Sequence, residues 1–124
     1  MPNDPKMLVV LPALNEERSV GIVVKEVQTA VPGCTVLVVD DGSVDGTAAE
    51  AREAGAQVVS NPFNLGVGGA MRVGFRVAES HGYDVLIQVD ADGQHDARDI
   101  GLLVAAFDDE PGPQVTPTPR SVSA

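Results

Sequence analysis

Four short apolar runs in the first ninety residues have the pattern of β-strands. They are rich in Val, Leu and Ile, and Pro, Gly, Asn or Asp residues bound them. The runs cover Met7 to Leu11, Thr35 to Val39, Ala56 to Val59 and Val85 to Val89. Short apolar runs of this kind, bounded by turn residues, predict β-strands.

Between and after these runs, apolar residues recur every three or four positions, which is the spacing of one face of an α-helix. The three stripes are Val20, Val23, Val27 and Val31; Val67, Met71, Gly74 and Ala78; and Ile100, Leu103, Val104 and Phe107. A shorter helix is predicted from Thr47 to Ala54, with Asp45 as its cap and Gly55 as its stop.

Strand and helix therefore alternate four times, which predicts an α/β fold with a parallel sheet and covering helices. In such sheets, ligands bind outside the carboxyl ends of the strands. The residues that follow each strand are the first place to look for chemistry.

Composition supports one domain with an aliphatic core. The 124 residues include 44% hydrophobic but only 3% aromatic residues, which suits parallel strands covered by helices. After Glu110 the chain carries four of its nine prolines among Ser and Thr residues, which predicts a disordered tail. We expect a flexible segment at residues 1–5, a domain at 6–110 and a tail at 111–124.

Charge and cysteine content narrow the partners. The net charge of -10 opposes binding to nucleic acid or anionic lipid without a bridging cation. The single Cys34 cannot form an internal disulfide, and neither a signal peptide nor an apolar run near the ~20 residues of a membrane span is present. We expect a cytoplasmic protein. If it acts on a lipid-linked acceptor, it must do so at the membrane surface.

Acidic residues follow the first and second strands. Asn15 could cap the next helix, and Glu16 and Glu17 would favour its positive N-terminus. Asp40 and Asp41 are adjacent at the end of the second strand. Two neighbouring carboxylates repel each other unless a donor or a cation offsets them.

The fourth strand leads into the acidic turn, defined as residues Asp90 to Asp96. Asp90 and Asp92 are two positions apart and can face one site. Hard oxygen ligands of this kind suit Mg²⁺ or Mn²⁺. His95 could ligate a metal or be an exposed turn residue.

Glycines open the third predicted helix, within Asn64 to Ala70. They could let a ligand approach the backbone at a helix N-terminus, or they could only permit a tight turn.

Four segments together resemble the GT-A family 2 glycosyltransferases in order and spacing. They are Pro12 to Glu17, Val39 to Thr47, Asn64 to Ala70, and Asp90 to Asp92. The motif Asp-Ala-Asp-Gly-Gln-His is most similar to that of the dolichyl-phosphate mannose synthase and polyprenyl-phosphate glycosyltransferase branch. The resemblance covers about residues 6–108, and four ordered motifs are more specific than any one of them.

The resemblance implies a Rossmann-like parallel sheet in the order 3-2-1-4, forming a GT-A nucleotide-binding half. Family members bind a UDP- or GDP-linked sugar and transfer it with inversion, often to polyprenyl phosphate. The residues that would line the base and ribose pocket are Pro12, Leu14, Glu16, Val39 and Asp41. Asp90 and Ala91 would lie by the ribose and diphosphate, and Asp92 with Gln94 would hold the metal.

This chain departs from the family pattern after the fourth predicted helix. Family members continue into a second half that carries acceptor contacts and any general base, whereas this chain enters its proline-rich tail. The sequence therefore predicts a truncated glycosyltransferase, and the alternative is a nucleotide- and metal-binding fragment without turnover.

Two other enzyme classes fit less well. A dinucleotide-dependent oxidoreductase needs glycines after the first strand, and Pro12 to Glu17 contains none. A haloacid dehalogenase-type phosphatase carries its acidic loop after the first strand and ends it in Thr. Here that loop follows the fourth strand and has Gln94.

Overall fold

The computed structural model describes residues 5–93 and the backbone of two further strands at 103–106 and 114–117. The strands are β1 (Met7–Ala13), β2 (Thr35–Asp40), β3 (Gln57–Ser60), β4 (Val85–Gln88), β5 (Leu103–Ala106) and β6 (Gln114–Pro117). The helices are α1 (Val20–Ala30), α2 (Thr47–Glu53) and α3 (Gly66–Ser80). No helix in this part of the chain is long and apolar enough to cross a bilayer.

The strands form one sheet in the order β3-β2-β1-β4-β5-β6. The first four strands of this order are parallel, and both β4–β5 and β5–β6 are antiparallel. The predicted α/β fold with a parallel sheet in the order 3-2-1-4 is confirmed.

The central strand β1 is buried on both faces, which explains its continuous apolar sequence. On one face, Val9 and Leu11 pack with the apolar stripe of α1. On the other face, Leu8 and Val10 pack with α3. The two faces have no aromatic residue among their fully buried side chains, so the described core is aliphatic, as composition predicts.

The first strand is longer than its apolar run predicts. Pro12 and Ala13 continue the parallel ladder and pair with Val39 and Asp40. The ladder between β1 and β4 ends at Val10. The missing N–H of Pro12 therefore removes no hydrogen bond between these two strands. The polar residues that follow β1 therefore begin two positions later than the apolar run predicts.

The predicted fourth helix is wrong at Leu103 and Val104. These residues lie in β5, which pairs antiparallel with β4. A short apolar run is compatible with either a helix or a strand, and the open edge of β4 offers backbone partners. Ile100 and Phe107 lie outside the described residues.

The prediction of a disordered tail is wrong at Gln114–Pro117. These four residues form β6, which pairs with β5. Pro117 is the last residue of β6, which lies at the edge of the described sheet, and proline is tolerated in such edge strands. The other residues of 111–124, like residues 1–4, lie outside the described part of the chain.

Candidate functional site

The carboxyl ends of β1, β2 and β4 lie side by side because β1 pairs with both of the others. Ala13 pairs with Asp40, and the Asp41 N–H donates to Ala13 O at 2.8 Å. On the other side, the Val89 N–H donates to Val10 O at 3.0 Å, beyond the end of β4. The residues following these three strands therefore meet at one edge of the sheet.

Asp41 is a buried carboxylate held by three protein donors. Its side chain is 5% exposed. Oδ1 accepts from Asn61 Nδ2 at 3.1 Å and from Leu65 N at 2.8 Å, and Oδ2 accepts from Gly66 N at 2.7 Å. Burial alone would raise the pKa of Asp41, but these hydrogen bonds outweigh it and lower that pKa. Asp41 is therefore ionised without a cation.

Asp40 closes the turn that follows β2. Its Oδ1 accepts from Ser43 N at 2.9 Å, and its carbonyl oxygen accepts from Asn61 N at 2.8 Å. The repulsion expected between the two neighbouring aspartates is thus offset by separate sets of N–H donors.

A cavity of about 150 Å³ opens beside Asp41. It is lined by Pro12, Ala13, Leu14, Asp41, Asn64, Gly66 and Val67. Leu14 and Val67 are 38% and 56% exposed, so the cavity has two apolar edges and a carboxylate wall. This combination suits a flat ring that carries a hydrogen-bond donor.

The structure divides the residues predicted to line a base and ribose pocket. Pro12, Leu14 and Asp41 share the cavity, whereas the Val39 side chain is fully buried in the core against α3. Glu16 lies in a neighbouring pocket of about 280 Å³ with Asp45.

Glu16 is bound into the loop rather than pointing to the cavity. Its N–H donates to Thr47 Oγ1 at 2.8 Å. Ser19 Oγ lies 2.9 Å from Glu16 Oε2 and 2.7 Å from Ala91 O, within hydrogen-bond distance of both. Ser19 thereby connects the loop after β1 to the acidic turn.

The loops after β1 and β2 hold each other through side chains. The Asn15 N–H donates to Ser43 Oγ at 2.8 Å, and Asn15 Oδ1 accepts from Val44 N at 2.9 Å. The Gly46 N–H donates to Glu17 Oε1 at 2.8 Å. The prediction that Asn15 caps the following helix is wrong, because α1 begins at Val20 and Asn15 binds the other loop.

Asp45 contributes to both loops. Its Oδ1 accepts from Thr47 N at 2.9 Å at the start of α2, as predicted for a cap, although the N-cap position is Gly46. Its Oδ2 accepts from Glu17 N at 3.3 Å. The hydrogen bond from the Thr47 hydroxyl is the main cause that lowers the pKa of Asp45.

In the acidic turn, Ala91 is buried, and Asp90 and Asp92 are exposed. Gly93 has a φ of 74°, which suits glycine. Gln94 and His95 lie outside the described residues.

Within residues 5–93, no three His, Cys, Asp or Glu side chains are grouped so that they could hold a metal ion. A Mg²⁺ ion that is held by one or two carboxylates and by substrate phosphates needs no such group. An exposed carboxylate at a strand end, such as Asp92, fits that kind of shared site.

The glycines at the start of α3 have distinct roles. Gly66 has a φ of 79°, and a Cβ at Gly69 would lie 2.5 Å from Leu65 Cβ. The positive φ of Gly66 favours glycine, as the tight-turn alternative proposes, whereas Gly69 is favoured for a steric reason, the close approach of Leu65. A Cβ at Gly68 would meet nothing within 4 Å. The N–H groups of Leu65 and Gly66 are taken by Asp41.

The model of the family described as Glycosyl transferase family 2 matches residues 8–123. The chain therefore belongs to this family. The match extends past residue 108, where the sequence resemblance ends.

Curated relatives indicate the predicted branch. The chain is 37% identical over 109 residues to the polyprenol monophosphomannose synthase of Mycolicibacterium smegmatis, covering 83% of this chain and 41% of that protein. It is 39% identical over 106 residues to the undecaprenyl-phosphate mannosyltransferase of Micrococcus luteus, covering 82% of this chain and 44% of that protein. The predicted resemblance to the polyprenyl-phosphate glycosyltransferase branch is confirmed, and this chain spans less than half the length of these relatives.

A solved structure agrees with the fold. Glucosyl-3-phosphoglycerate synthase from Mycobacterium tuberculosis, crystallised with Mn²⁺, UDP and glucosyl-3-phosphoglycerate, superposes with a TM-score of 0.57 at 31% identity. The superposition covers 70% of this chain and 33% of that one.

Sequence reasoning missed Asn61, Ser19 and Thr47. Asn61 follows β3, so the rule that selected Asp41 at the end of β2 would also have selected it. Ser19 had no signal beyond the propensity of Ser to lie near helix starts. Thr47 closes the segment Val39 to Thr47 that carries the family resemblance, but no role for its side chain was predicted.

Proposed function

We propose that this domain binds a UDP- or GDP-linked sugar together with Mg²⁺ or Mn²⁺ and serves the inverting transfer of the sugar to an acceptor. The observation that carries the proposal is the shared cavity at the strand ends, where Pro12, Leu14 and Asp41 meet Asn64 and Val67. A nucleobase would enter between the apolar edges, with its N–H groups toward Asp41.

Asp41 has capacity for one further donor. A carboxylate offers about four acceptor positions, and the described donors Asn61, Leu65 and Gly66 use three of them. Oδ2 accepts one of these three hydrogen bonds, which leaves it a position for an N–H group of a nucleobase.

The diphosphate would lie toward the acidic turn. Asp90 and Ala91 would lie by the ribose and diphosphate, and Asp92 with Gln94 would hold the divalent cation. Such a cation, when bound, offsets the negative charge that grows on the leaving nucleoside diphosphate. The role of Asp92 is to hold this cation rather than to remove a proton.

The acceptor would attack the sugar from the face opposite the diphosphate. We propose polyprenyl phosphate as acceptor, supported by the names of the mycobacterial and Micrococcus relatives. A phosphate acceptor is already ionised near neutral pH, so its attack needs little help from a general base. The domain would then work in the cytoplasm, peripheral to the membrane.

Calorimetric titration tests donor binding. UDP and GDP are titrated into the full chain with and without Mn²⁺, and at least one nucleotide should bind more tightly with Mn²⁺. Asp92→Asn should lose most of the Mn²⁺-dependent gain. Glu79→Gln is the matched control, since it removes one charge from an exposed position on α3. No binding of either nucleotide, or an unchanged Mn²⁺ gain in Asp92→Asn, would contradict the proposal.

Turnover is tested separately because the chain spans only 41% and 44% of two relatives' lengths. The chain is incubated with Mn²⁺, polyprenyl phosphate and radiolabelled nucleotide sugars, and label is counted in the lipid phase. Label there supports transfer by this chain. Donor binding without labelled lipid supports the alternative of a nucleotide- and metal-binding domain without turnover.

A further inference from the structure

Asn61 lies immediately after β3 and is buried, with 9% of its surface exposed. Its N–H donates to Asp40 O at 2.8 Å, which fixes its backbone beside the end of β2. Its side-chain Nδ2 donates to Asp41 Oδ1 at 3.1 Å. Asn61 is absent from the cavity lining, so it would act on a ligand through Asp41.

Of the three described N–H groups that donate to the Asp41 carboxylate, the Asn61 amide is the one that belongs to a side chain. The other two are backbone N–H groups of Leu65 and Gly66 at the start of α3. Backbone donors persist in most variants, whereas the Asn61 donor depends on the identity of one residue. The orientation of the Asp41 carboxylate is therefore open to change at this position.

We propose that Asn61 is a positioning residue of the donor site, which fixes Oδ1 of Asp41 and so orients Oδ2 for an N–H group of the nucleobase. The identity of the ligand in this inference rests on the proposed function. The geometry rests on the described hydrogen bonds of Asn61 and Asp41.

The charged surroundings of Asp41 make the inference testable by pH. Asp40 is the neighbouring carboxylate, and its Oδ1 accepts from Ser43 N. The groups from β3 and α3 that act on Asp41 are the uncharged Asn61 amide and the N–H groups of Leu65 and Gly66. A new carboxyl group at position 61 would therefore titrate chiefly against Asp41.

Two substitutions separate positioning from general stability. Asn61→Ala removes the donor, and the affinity of the full chain for UDP or GDP with Mn²⁺ should fall about tenfold. Asn61→Asp keeps the shape and replaces the amide by a carboxyl group. When ionised it repels Asp41, and when protonated it donates an O–H in place of the amide.

The Asn61→Asp affinity, divided by the wild-type affinity at the same pH, should therefore rise about tenfold between about pH 8 and about pH 5.5. The same ratio for Asn61→Ala should stay low and flat. Ser60→Ala, on the exposed preceding residue, should match the wild type at every pH. A flat ratio for Asn61→Asp, or wild-type affinity in Asn61→Ala, would overturn the proposal.

A measurement without nucleotide keeps this inference distinct from the proposed function. The pKa of Asp41 is followed by NMR at its carboxyl carbon in the wild type and in Asn61→Ala. Loss of the donor should raise this pKa, and an unchanged value would overturn the positioning role. If neither nucleotide binds the wild type, the proposed function fails, while the NMR result still decides whether Asn61 holds Asp41.

Discussion

Asn15 Oδ1 accepts a hydrogen bond from Val44 N at 2.9 Å, so one side chain after β1 holds the backbone of the loop after β2. Asn15 does so with a φ of 54°, in the left-handed region that Asn tolerates better than most residues. The two loops border the candidate donor site, and their separation depends on this contact and on the bond between Gly46 and Glu17.

Two substitutions of Asn15 should differ in a defined order. Asn15→Gly keeps access to the positive φ but removes the side chain, and it should destabilise the fold by about 1 kcal/mol. Asn15→Ala adds backbone strain of about 1 kcal/mol to that loss. Urea denaturation measures both free energies of unfolding. Equal values for the two variants would show that the positive φ contributes nothing.

Replacement of Thr47 should separate its hydroxyl from its packing. The fully buried Thr47 accepts from Glu16 N through Oγ1, and its hydroxyl also binds Asp45 Oδ1. Thr47→Val keeps the shape but strands the Glu16 N–H, so it should cost about 1–3 kcal/mol of stability. Thr47→Ser keeps the hydroxyl and should retain more stability than Thr47→Val in thermal unfolding. The reverse order would show that the methyl group dominates.

Two glycines of α3 should respond oppositely to alanine. A Cβ at Gly74 would lie 2.8 Å from Val10 Cγ2, so Gly74→Ala should push α3 from the sheet and cost about 1–3 kcal/mol. A Cβ at Gly68 has nothing within 4 Å, so Gly68→Ala should stabilise the helix by roughly 0.5–1 kcal/mol. Chemical denaturation of both variants checks this, and a stable Gly74→Ala protein would contradict the close packing.

Acid should remove the stabilisation that Asp41 provides. The pKa of Asp41 is lowered in the folded chain, so its contribution is present above its unfolded pKa of about 4 and is lost as pH falls through the folded value. Asp41→Asn lacks this contribution and should be less stable near neutral pH by about 1.5–3 kcal/mol.

The difference in unfolding free energy between wild type and Asp41→Asn should therefore shrink as the pH is lowered below about 4. Asp45, whose pKa is also lowered, is present in both proteins, so its contribution cancels in the difference. A difference that stays constant with pH would show that the ionisation of Asp41 does not stabilise the fold.

The parallel strands were predictable because each is an apolar run too short for a helix and bounded by turn residues. The extension of β1 through Pro12 was not, because proline usually marks a strand end and only the short β4 ladder makes it acceptable here. The strand at Leu103–Ala106 was missed because its residues were predicted to belong to a helix. Its apolar spacing satisfies a helix as well, and pairing with β4 decides between them.

The position of the candidate site at the strand ends was predictable, but the contacts that its residues make were not. Motif order and the rule for strand ends brought Leu14 and Asp41 to one edge. Sequence spacing could not show that Asp41 accepts from the first N–H groups of α3. It also could not separate Glu16 from the cavity, because the partner that holds its backbone, Thr47, is 31 residues away.

The cavity wall formed by the β3–α3 loop is preorganised. Asn61 and Gly66 bracket this loop, and Asp41, the residue after β2, accepts hydrogen bonds from both of them. A ligand that enters the cavity meets a wall whose backbone is already ordered. Little of its binding free energy is then spent on ordering this loop, and its affinity depends mainly on the fit of the ring and on the cation.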